Sequence, residues 1–241
     1  MNTIKFILVS TLIPFLTGCS EILDKKLDEH FPLNQKNDGQ AIIVSGTVPI
    51  NTEPKIRVQY TSKKCTSIHL NSDFIPTGRD QWNTNKEWNV QYKDNNRFET
   101  RMPLNGGGWC DWKLTNMSIG LIYTQHPLAN KQTKFLVSGI LSVYINDMNK
   151  SRYSSEKDIE NKIDYSPDFH TEYEEYIGKY SEIVFLSPKG DSEYRLWLHS
   201  DHDGYINYSP KLNSSKIRKS FQDKENKWIE YPNGEIKYEK K

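Results

Sequence analysis

Apolar and polar residues alternate along much of the chain, in short runs separated by clusters of Asn, Asp, Gly and Pro. A period of two predicts β-strands with one buried face, because successive side chains of a strand point to opposite faces of its sheet. The first such runs lie at residues 41–48, 56–60, 88–92 and 98–104. The turn-rich stretch at residues 72–85 interrupts them, and its composition predicts a loop.

Later runs continue this pattern. Residues 135–145 are apolar at most positions, which predicts a strand covered on both faces, and residues 183–186 predict a further buried strand. Two short alternating runs that flank Pro232-Asn233-Gly234 predict a hairpin near the end of the chain. The chain is therefore predicted to be mainly β, as an antiparallel β-sandwich or a partly closed barrel.

The most distinctive stretch of this body is the run Asn-Gly-Gly-Gly-Trp-Cys at residues 105–110. Asn-Gly after a strand is a strong hairpin signal, and a switch in the parity of apolar positions near Thr115-Asn116 predicts a bulge or a bend. The glycines either form a conformationally demanding turn or bring a ligand close to the backbone. The turn is favoured, because glycine serves turns with positive φ far more often than it serves ligand loops.

A different pattern opens the chain, where Lys5 precedes an apolar run at residues 6–16. The run is shorter than the roughly 20 residues that a helix needs to cross a bilayer, and its order is typical of a signal peptide. It closes on Leu16-Thr17-Gly18-Cys19, which resembles the lipobox of bacterial lipoproteins. This resemblance implies removal of residues 1–18 and lipidation of Cys19, whose acyl chains would anchor the protein to a membrane. The alternative is an ordinary cleaved signal peptide in which Cys19 is incidental.

The resemblance also divides the chain. It implies a signal peptide at residues 1–18, a lipidated tether at 19–40 and a β-rich body at 41–241. A subdivision of the body into 41–148 and 179–241, with 149–178 as the connection, stays open. In Gram-negative lipoproteins an Asp after the Cys usually signals retention in the inner membrane, and Ser20 stands there instead. The resemblance therefore implies an outer-membrane anchor that faces the periplasm.

The chain contains three cysteines, and the lipobox assigns Cys19 to the lipid. Cys65 and Cys110 remain, and in an oxidising compartment two such cysteines are expected to form one disulfide. The alternative is a pair of free thiols or one catalytic Cys, which requires a reduced thiol in that compartment.

Residues 149–180 are polar and acidic, with tyrosines interleaved. We interpret this segment as one long acidic excursion from the β body, with one or two helical turns at 172–177. Long loops often carry function, and Tyr is enriched in binding surfaces. The candidate partner-binding residues are Tyr173, Glu174, Glu175 and Tyr176. The alternative is a solvated charged loop.

One cluster has the residue types of a metal site, and its members are His199, Asp201, His202 and Asp203. No second pair of ligands follows at zinc spacing, so a polar hairpin tip is the favoured interpretation. The sequence has neither a G-x-S-x-G nor an H-E-x-x-H motif. We therefore assign no catalytic residue and no cofactor, and we predict that the chain is not an enzyme.

Without residues 1–18, whose only charged side chain is Lys5, the chain carries 31 basic and 31 acidic side chains. This neutral balance lacks the basic footprint that nucleic-acid binding requires. The predicted function is that of a protein-binding module. Lipoproteins with a disulfide-stapled β body resemble the immunity proteins that neutralise secreted antibacterial toxins in the periplasm. The alternatives are a structural or assembly lipoprotein of the cell envelope and a metal-dependent hydrolase that uses the 199–203 cluster.

Overall fold

The computed structural model describes residues 30–36, 38–93, 96–145, 157–177, 181–188, 192–197 and 202–240. These residues form 18 strands and no helix, and the strand content of 69% confirms the mainly β prediction. In chain order the strands are β1 (Ala41–Thr47), β2 (Thr52–Leu70), β3 (Pro76–Trp88), β4 (Gln91–Tyr92), β5 (Arg97–Pro103), β6 (Asn105–Gly107), β7 (Trp112–Tyr123), β8 (Thr133–Leu136), β9 (Ser138–Ile145), β10 (Lys157–Glu160), β11 (Lys162–Tyr165), β12 (Asp168–Tyr176), β13 (Ser181–Pro188), β14 (Ser192–Trp197), β15 (Gly204–Tyr208), β16 (Lys211–Gln222), β17 (Asn226–Glu230) and β18 (Ile236–Lys240).

Among the described residues these strands build three sheets, and none of the three closes on itself. Sheet A has the order β11-β15-β1-β5-β4. Sheet B has the order β10-β14-β9-β7-β2-β3, and the short β6 pairs with β7. Sheet C has the order β18-β17-β16-β12-β13-β8. Buried side chains from all three sheets meet in one hydrophobic cluster.

Alternation along β2 illustrates how the sequence builds this core. Ile56, Val58 and Tyr60 are buried, whereas the residues between them are more exposed. The β2–β7 register passes from Gln59 opposite Asn116 to Tyr60 opposite Leu114, which leaves Thr115 as an extra residue. The bulge predicted near Thr115 is thereby confirmed.

Strand pairing is mixed, so the expectation of antiparallel sheets holds for only part of the molecule. β15 runs parallel to both β1 and β11. A hairpin predicted at Asp203-Gly204 is wrong, because β14 and β15 belong to different sheets. The hairpin of β17 and β18 is confirmed, and Gly234 supplies its positive φ of 83°. The loop predicted at 72–85 is wrong from residue 76 onward, where β3 pairs with β2.

The segment interpreted as an acidic excursion instead supplies β10, β11 and β12, and no helical turn forms at 172–177. β12 lies inside sheet C, where it is parallel to β16 and antiparallel to β13. Phe169 and Thr171 are buried on one face of β12, and Asp168, His170 and Glu172 alternate with them. The expectation failed because the charge of one acidic residue is offset by a basic residue that lies far along the chain.

That acidic residue is Glu172, whose side chain is only 3% exposed. Its Oε2 accepts a hydrogen bond of 2.7 Å from Nε of Arg218, which lies directly opposite on β16. Its Oε1 lies 2.8 Å from Nε2 of His170. A buried carboxylate is costly unless it is paired and hydrogen-bonded, so these contacts specify the parallel register of β12 and β16.

Described residues 30–36 and 38–40 fall within the tether expected at 19–40, and several of them contact the body. Leu33 is buried in the core cluster, and the Asn34 amide donates to the Gly106 carbonyl at 2.8 Å. The Leu104 amide donates to the Gln40 carbonyl at 2.8 Å. Residues 1–29, which include the 16–19 motif, lie outside the described residues.

We expect Glu172→Gln to lower the free energy of unfolding by about 2 kcal/mol, because Arg218 and His170 lose a buried charged acceptor. Glu174→Gln is the matched control, since Glu174 is half-buried on the same strand and receives one hydrogen bond of 3.4 Å, from Tyr176. We expect this control to shift stability by about 0.5 kcal/mol or less. Urea unfolding measures both, and equal losses in the two variants would contradict the assigned role of Glu172.

Candidate interaction surface

A two-stranded extension of sheet B is exposed along most of its length. Within the described ranges, β7 pairs with β2 only as far as Thr61, so the outer part of β2 has β3 as its one sheet neighbour. We call this extension the ribbon, which comprises residues 66–70, the turn 71–75 and residues 76–81. Five residues of strand span about 17 Å. The ribbon therefore projects well beyond the core.

The tip of the ribbon carries apolar side chains that face solvent. Phe74 is 80% exposed and Ile75 is 56% exposed, and Ile68 and Leu70 are exposed on the adjacent strand. Scattered single apolar residues are normal at a protein surface, but four large exposed ones within the eight residues 68–75 indicate a candidate interaction site. We call these four residues the ribbon tip.

The side chain of Asn71 stabilises the turn that presents the ribbon tip. Its Oδ1 accepts hydrogen bonds from the amides of Asp73 at 3.0 Å and Ile75 at 2.9 Å. Phe74 adopts a positive φ of 60°, a conformation that bulky residues rarely take and that costs of order 1–3 kcal/mol. Backbone strain of this kind concentrates at functional sites.

A disulfide between Cys65 and Cys110 ties the base of the ribbon to the turn after β6, with the two Cα atoms 5.2 Å apart. The β2–β3 register passes from Ser62 opposite Trp82 to Thr66 opposite Gln81, so three residues of β2 bulge out there. Cys65 is one of these three. The Ser62 hydroxyl donates to the Cys110 carbonyl at 2.5 Å and accepts from the Cys65 amide at 2.8 Å. The predicted disulfide is thereby confirmed.

Aromatic side chains pack near this bond. We call the disulfide together with Phe31, Trp82 and Trp109 the ribbon base. The Phe31 ring lies 6.4 Å from the rings of both Trp82 and Trp109, between centroids. Trp109 is 66% exposed, and Lys64 Nζ lies 4.3 Å from the centroid of its ring. Such a cation–π contact stabilises an exposed ring by about 0.5–1 kcal/mol. The Phe31 carbonyl accepts a hydrogen bond of 3.0 Å from Trp112 Nε1.

The glycine run holds the N-terminal segment against the ribbon base. Gly107 and Gly108 have φ of 56° and 70°, as the demanding turn requires. A Cβ on Gly106 would overlap Leu33 Cδ1 and lie 3.0 Å from the Trp112 Cβ. A Cβ on Gly108 would lie 2.9 Å from the Pro32 carbonyl oxygen. The run therefore serves a turn and a close packing contact with residues 32–34.

The four residues predicted to bind a partner lie in succession on β12, so they alternate between the two faces of sheet C. Tyr173 Oη donates to Glu175 Oε2 at 3.1 Å, and Tyr176 Oη donates to Glu174 Oε2 at 3.4 Å. Desolvation, with Glu175 adding to it, raises the pKa of Tyr173 to about 12. All four are half-buried, so one partner surface would reach at most one of the two pairs.

The structure describes half of the predicted metal cluster, because His199 and Asp201 lie outside the described residues. Asp203 Oδ1 accepts a hydrogen bond of 2.8 Å from the Ala41 amide at the start of β1. The His202 carbonyl accepts one from Gln40 Nε2. Within the described ranges no three His, Cys, Asp or Glu side chains are grouped to hold a metal ion.

Sequence reasoning missed the ribbon tip and the packing of Phe31 and Leu33. The available signal was Phe74-Ile75, an apolar pair inside a turn-rich stretch that follows the alternating Ile68 and Leu70. The contacts of Phe31 and Leu33 had no local signal, because their partners are distant along the chain.

Comparison of the chain with protein-family models, with curated proteins and with solved structures finds no match. In the described part of the chain, no helix has the length and apolar character needed to cross a membrane.

We expect Gly106→Ala to destabilise the protein by about 2 kcal/mol, because the added Cβ overlaps Leu33 and the neighbouring backbone must shift. Gly78→Ala is the control, since a Cβ there meets nothing within 4 Å. Urea unfolding measures the loss, and trypsin cleavage after the exposed Lys36 reports release of the N-terminal segment. Unchanged stability and cleavage in Gly106→Ala would contradict the packing described for Leu33.

Proposed function

We propose that the protein is a lipid-anchored module of the bacterial cell envelope that binds a protein partner through its ribbon tip. The observation that carries this proposal is the exposed apolar group Ile68, Leu70, Phe74 and Ile75 at the end of a disulfide-braced ribbon. An isolated two-stranded hairpin is only marginally stable in water, so the stability of the ribbon alone does not explain why it projects from the body. Contact with a partner is a reason for this projection.

The cysteines support the envelope as the compartment. Cys65 and Cys110 bond to each other, which leaves Cys19 as the one remaining cysteine of the three. Disulfides persist in oxidising compartments such as the periplasm. Lipidation of Cys19 in the Leu16-Thr17-Gly18-Cys19 motif would place the body there.

The chemistry of the ribbon tip favours a protein pocket as its target. The tip region carries Asp73 and Asp80 as well as Arg79, so it lacks the basic cluster that anionic surfaces attract. Burying an aromatic or aliphatic side chain in a pocket contributes about 1.5–3 kcal/mol. Burial of Phe74 and Ile75 together would therefore contribute enough free energy to anchor a protein partner.

The resemblance to immunity lipoproteins makes a secreted antibacterial toxin the first partner to test. A structural or assembly component of the envelope is the alternative partner. The gene beside this one distinguishes them, since a toxin or effector gene favours immunity and an envelope-biogenesis gene favours assembly.

We expect intact-mass analysis of the expressed protein to show loss of residues 1–18 and acyl chains on Cys19. Cys19→Ser should move the protein from the membrane fraction to the soluble fraction, because the one predicted lipid attachment site is lost. Ser20→Ala, its neighbour, should stay with the membranes. An unprocessed, unmodified chain in the cytosol would overturn the proposed anchor and compartment.

We expect a photoreactive residue in place of Phe74 to cross-link the partner in intact cells, whereas the same residue in place of Tyr238 does not. Tyr238 is the matched control because it is 74% exposed on a different sheet. With the partner in hand, the double variant Phe74→Ser/Ile75→Ser should weaken binding about 100-fold, and Ile236→Ser/Tyr238→Ser should not. A Tyr173→Ala variant tests the β12 candidates in parallel. Full affinity in the Phe74→Ser/Ile75→Ser variant would rule out the ribbon tip as the partner-binding surface.

A further inference from the structure

The outer edge of sheet B is unlike the other sheet edges of the described chain. Five of the six edge strands are short: β4 has two residues, β8, β10 and β11 have four each, and β18 has five. β3 has 13 residues, and its outer side pairs with no strand within the described ranges. Short edge strands, charged residues and bulges are the usual protection against unwanted pairing. A long edge strand is a template for another strand.

β3 is continuous from Gly78 to Trp88. A register shift between His69 and Leu70 leaves Thr77 of β3 as an extra residue, and the only Pro of the strand is Pro76 at its first position. The three-residue bulge at Ser62/Thr66 belongs to β2. From residue 82 onward, even-numbered residues are partly or fully buried and odd-numbered residues are exposed. The strand therefore offers regularly alternating outward N–H and C=O groups.

The charges of β3 form a pattern that is complementary to itself. Arg79-Asp80 lies near one end and Lys86-Glu87 near the other, and residues 81–85 between them are uncharged. Residues that face each other across two strands share one side of the sheet, so in a twofold pair of identical strands their numbers differ by an even amount. Centring the pair on Asn83 places Arg79 opposite Glu87 and Asp80 opposite Lys86.

Neighbouring registers lose this match. Centring on Trp82 places Arg79 opposite Asn85, and centring on Thr84 places Asp80 opposite Trp88. Only the Asn83 register matches both charge pairs, and the twofold axis makes each of them twice. Opposite charges on facing strands stabilise a pair, and like charges destabilise it.

We infer that two copies of this chain associate through β3, antiparallel and centred on Asn83, to form one continuous sheet. In such a pair every second residue exchanges two backbone hydrogen bonds, so residues 79–87 supply about eight to ten. The twofold axis is perpendicular to the sheet and leaves Phe31 of both copies on the same face.

The contacts of Arg79, Asp80 and Glu87 within each copy are compatible with this pairing. Arg79 donates one of its five N–H groups to Thr66, and Asp80 contacts His69 through Oδ2 at 2.7 Å. Glu87 Oε1 lies 3.2 Å from Lys55 Nζ. A carboxylate accepts about four hydrogen bonds, so Asp80 and Glu87 retain capacity for a cation from the second copy.

The test uses the full-length exported chain carrying Cys19→Ser, so that its outcome does not depend on lipidation or on the ribbon tip. Sedimentation velocity over a concentration series should show a monomer–dimer equilibrium. Lys86→Glu places a carboxylate opposite Asp80 and should raise the dimer dissociation constant at least about tenfold. Asp80→Lys/Lys86→Glu restores opposite charges and should return the constant to within about threefold of the starting chain. A monomer at every concentration, or a double variant as weak as Lys86→Glu, would overturn the inference.

Cysteine cross-linking tests the register itself. The two Asn83 residues face each other with Cα atoms about 4.5–5.5 Å apart, which suits a disulfide. The two Asn85 residues are offset by four positions, or about 13 Å. Asn83→Cys should therefore form an intermolecular disulfide under mild oxidation, and the equally exposed Asn85→Cys should not. Equal cross-linking of the two variants would refute the Asn83 register.

Discussion

The Cys65–Cys110 bond is the constraint on which the described surface depends. It closes a loop of 45 positions, which in the chain-entropy model stabilises the folded state by about 4 kcal/mol. It joins the bulge of β2 to the glycine turn, and the rings of Phe31, Trp82 and Trp109 pack at the same joint. A two-stranded ribbon has no second layer to hold its direction, so this joint decides where the ribbon points.

The same joint connects the ribbon to the start of the body. Leu33 fills the space that Gly106 leaves open, and the Phe31 carbonyl accepts from Trp112. Residues 31–33 therefore pack at the ribbon base. The ribbon offers two surfaces, the apolar tip at Phe74 and the long edge of β3. They suit different binding partners, because the tip is apolar whereas the edge presents backbone hydrogen-bonding groups and charged side chains of both signs.

Much of the fold could be predicted from local pattern, and the rest depends on distant partners. Alternation predicted β1, β2 and the β17–β18 hairpin, because a period of two is visible within one segment. β3 was missed from residue 76 because its Asn, Asp and Gly residues are typical of turns and its strand conformation comes from pairing with β2. The strand character of β12 was hidden because Glu172 is neutralised by Arg218, 46 residues later. Cys65–Cys110 was predictable from compartment and number, whereas the fit of Leu33 against Gly106 had no local signal.

Amide hydrogen exchange before and after selective reduction of Cys65–Cys110 tests the central role of this bond most directly. We expect faster exchange at residues 31–34 and in the ribbon, while β12 and β16 of sheet C keep their protection. Unchanged exchange in the ribbon, or an equal loss of protection in all three sheets, would contradict the view that the disulfide fixes one joint.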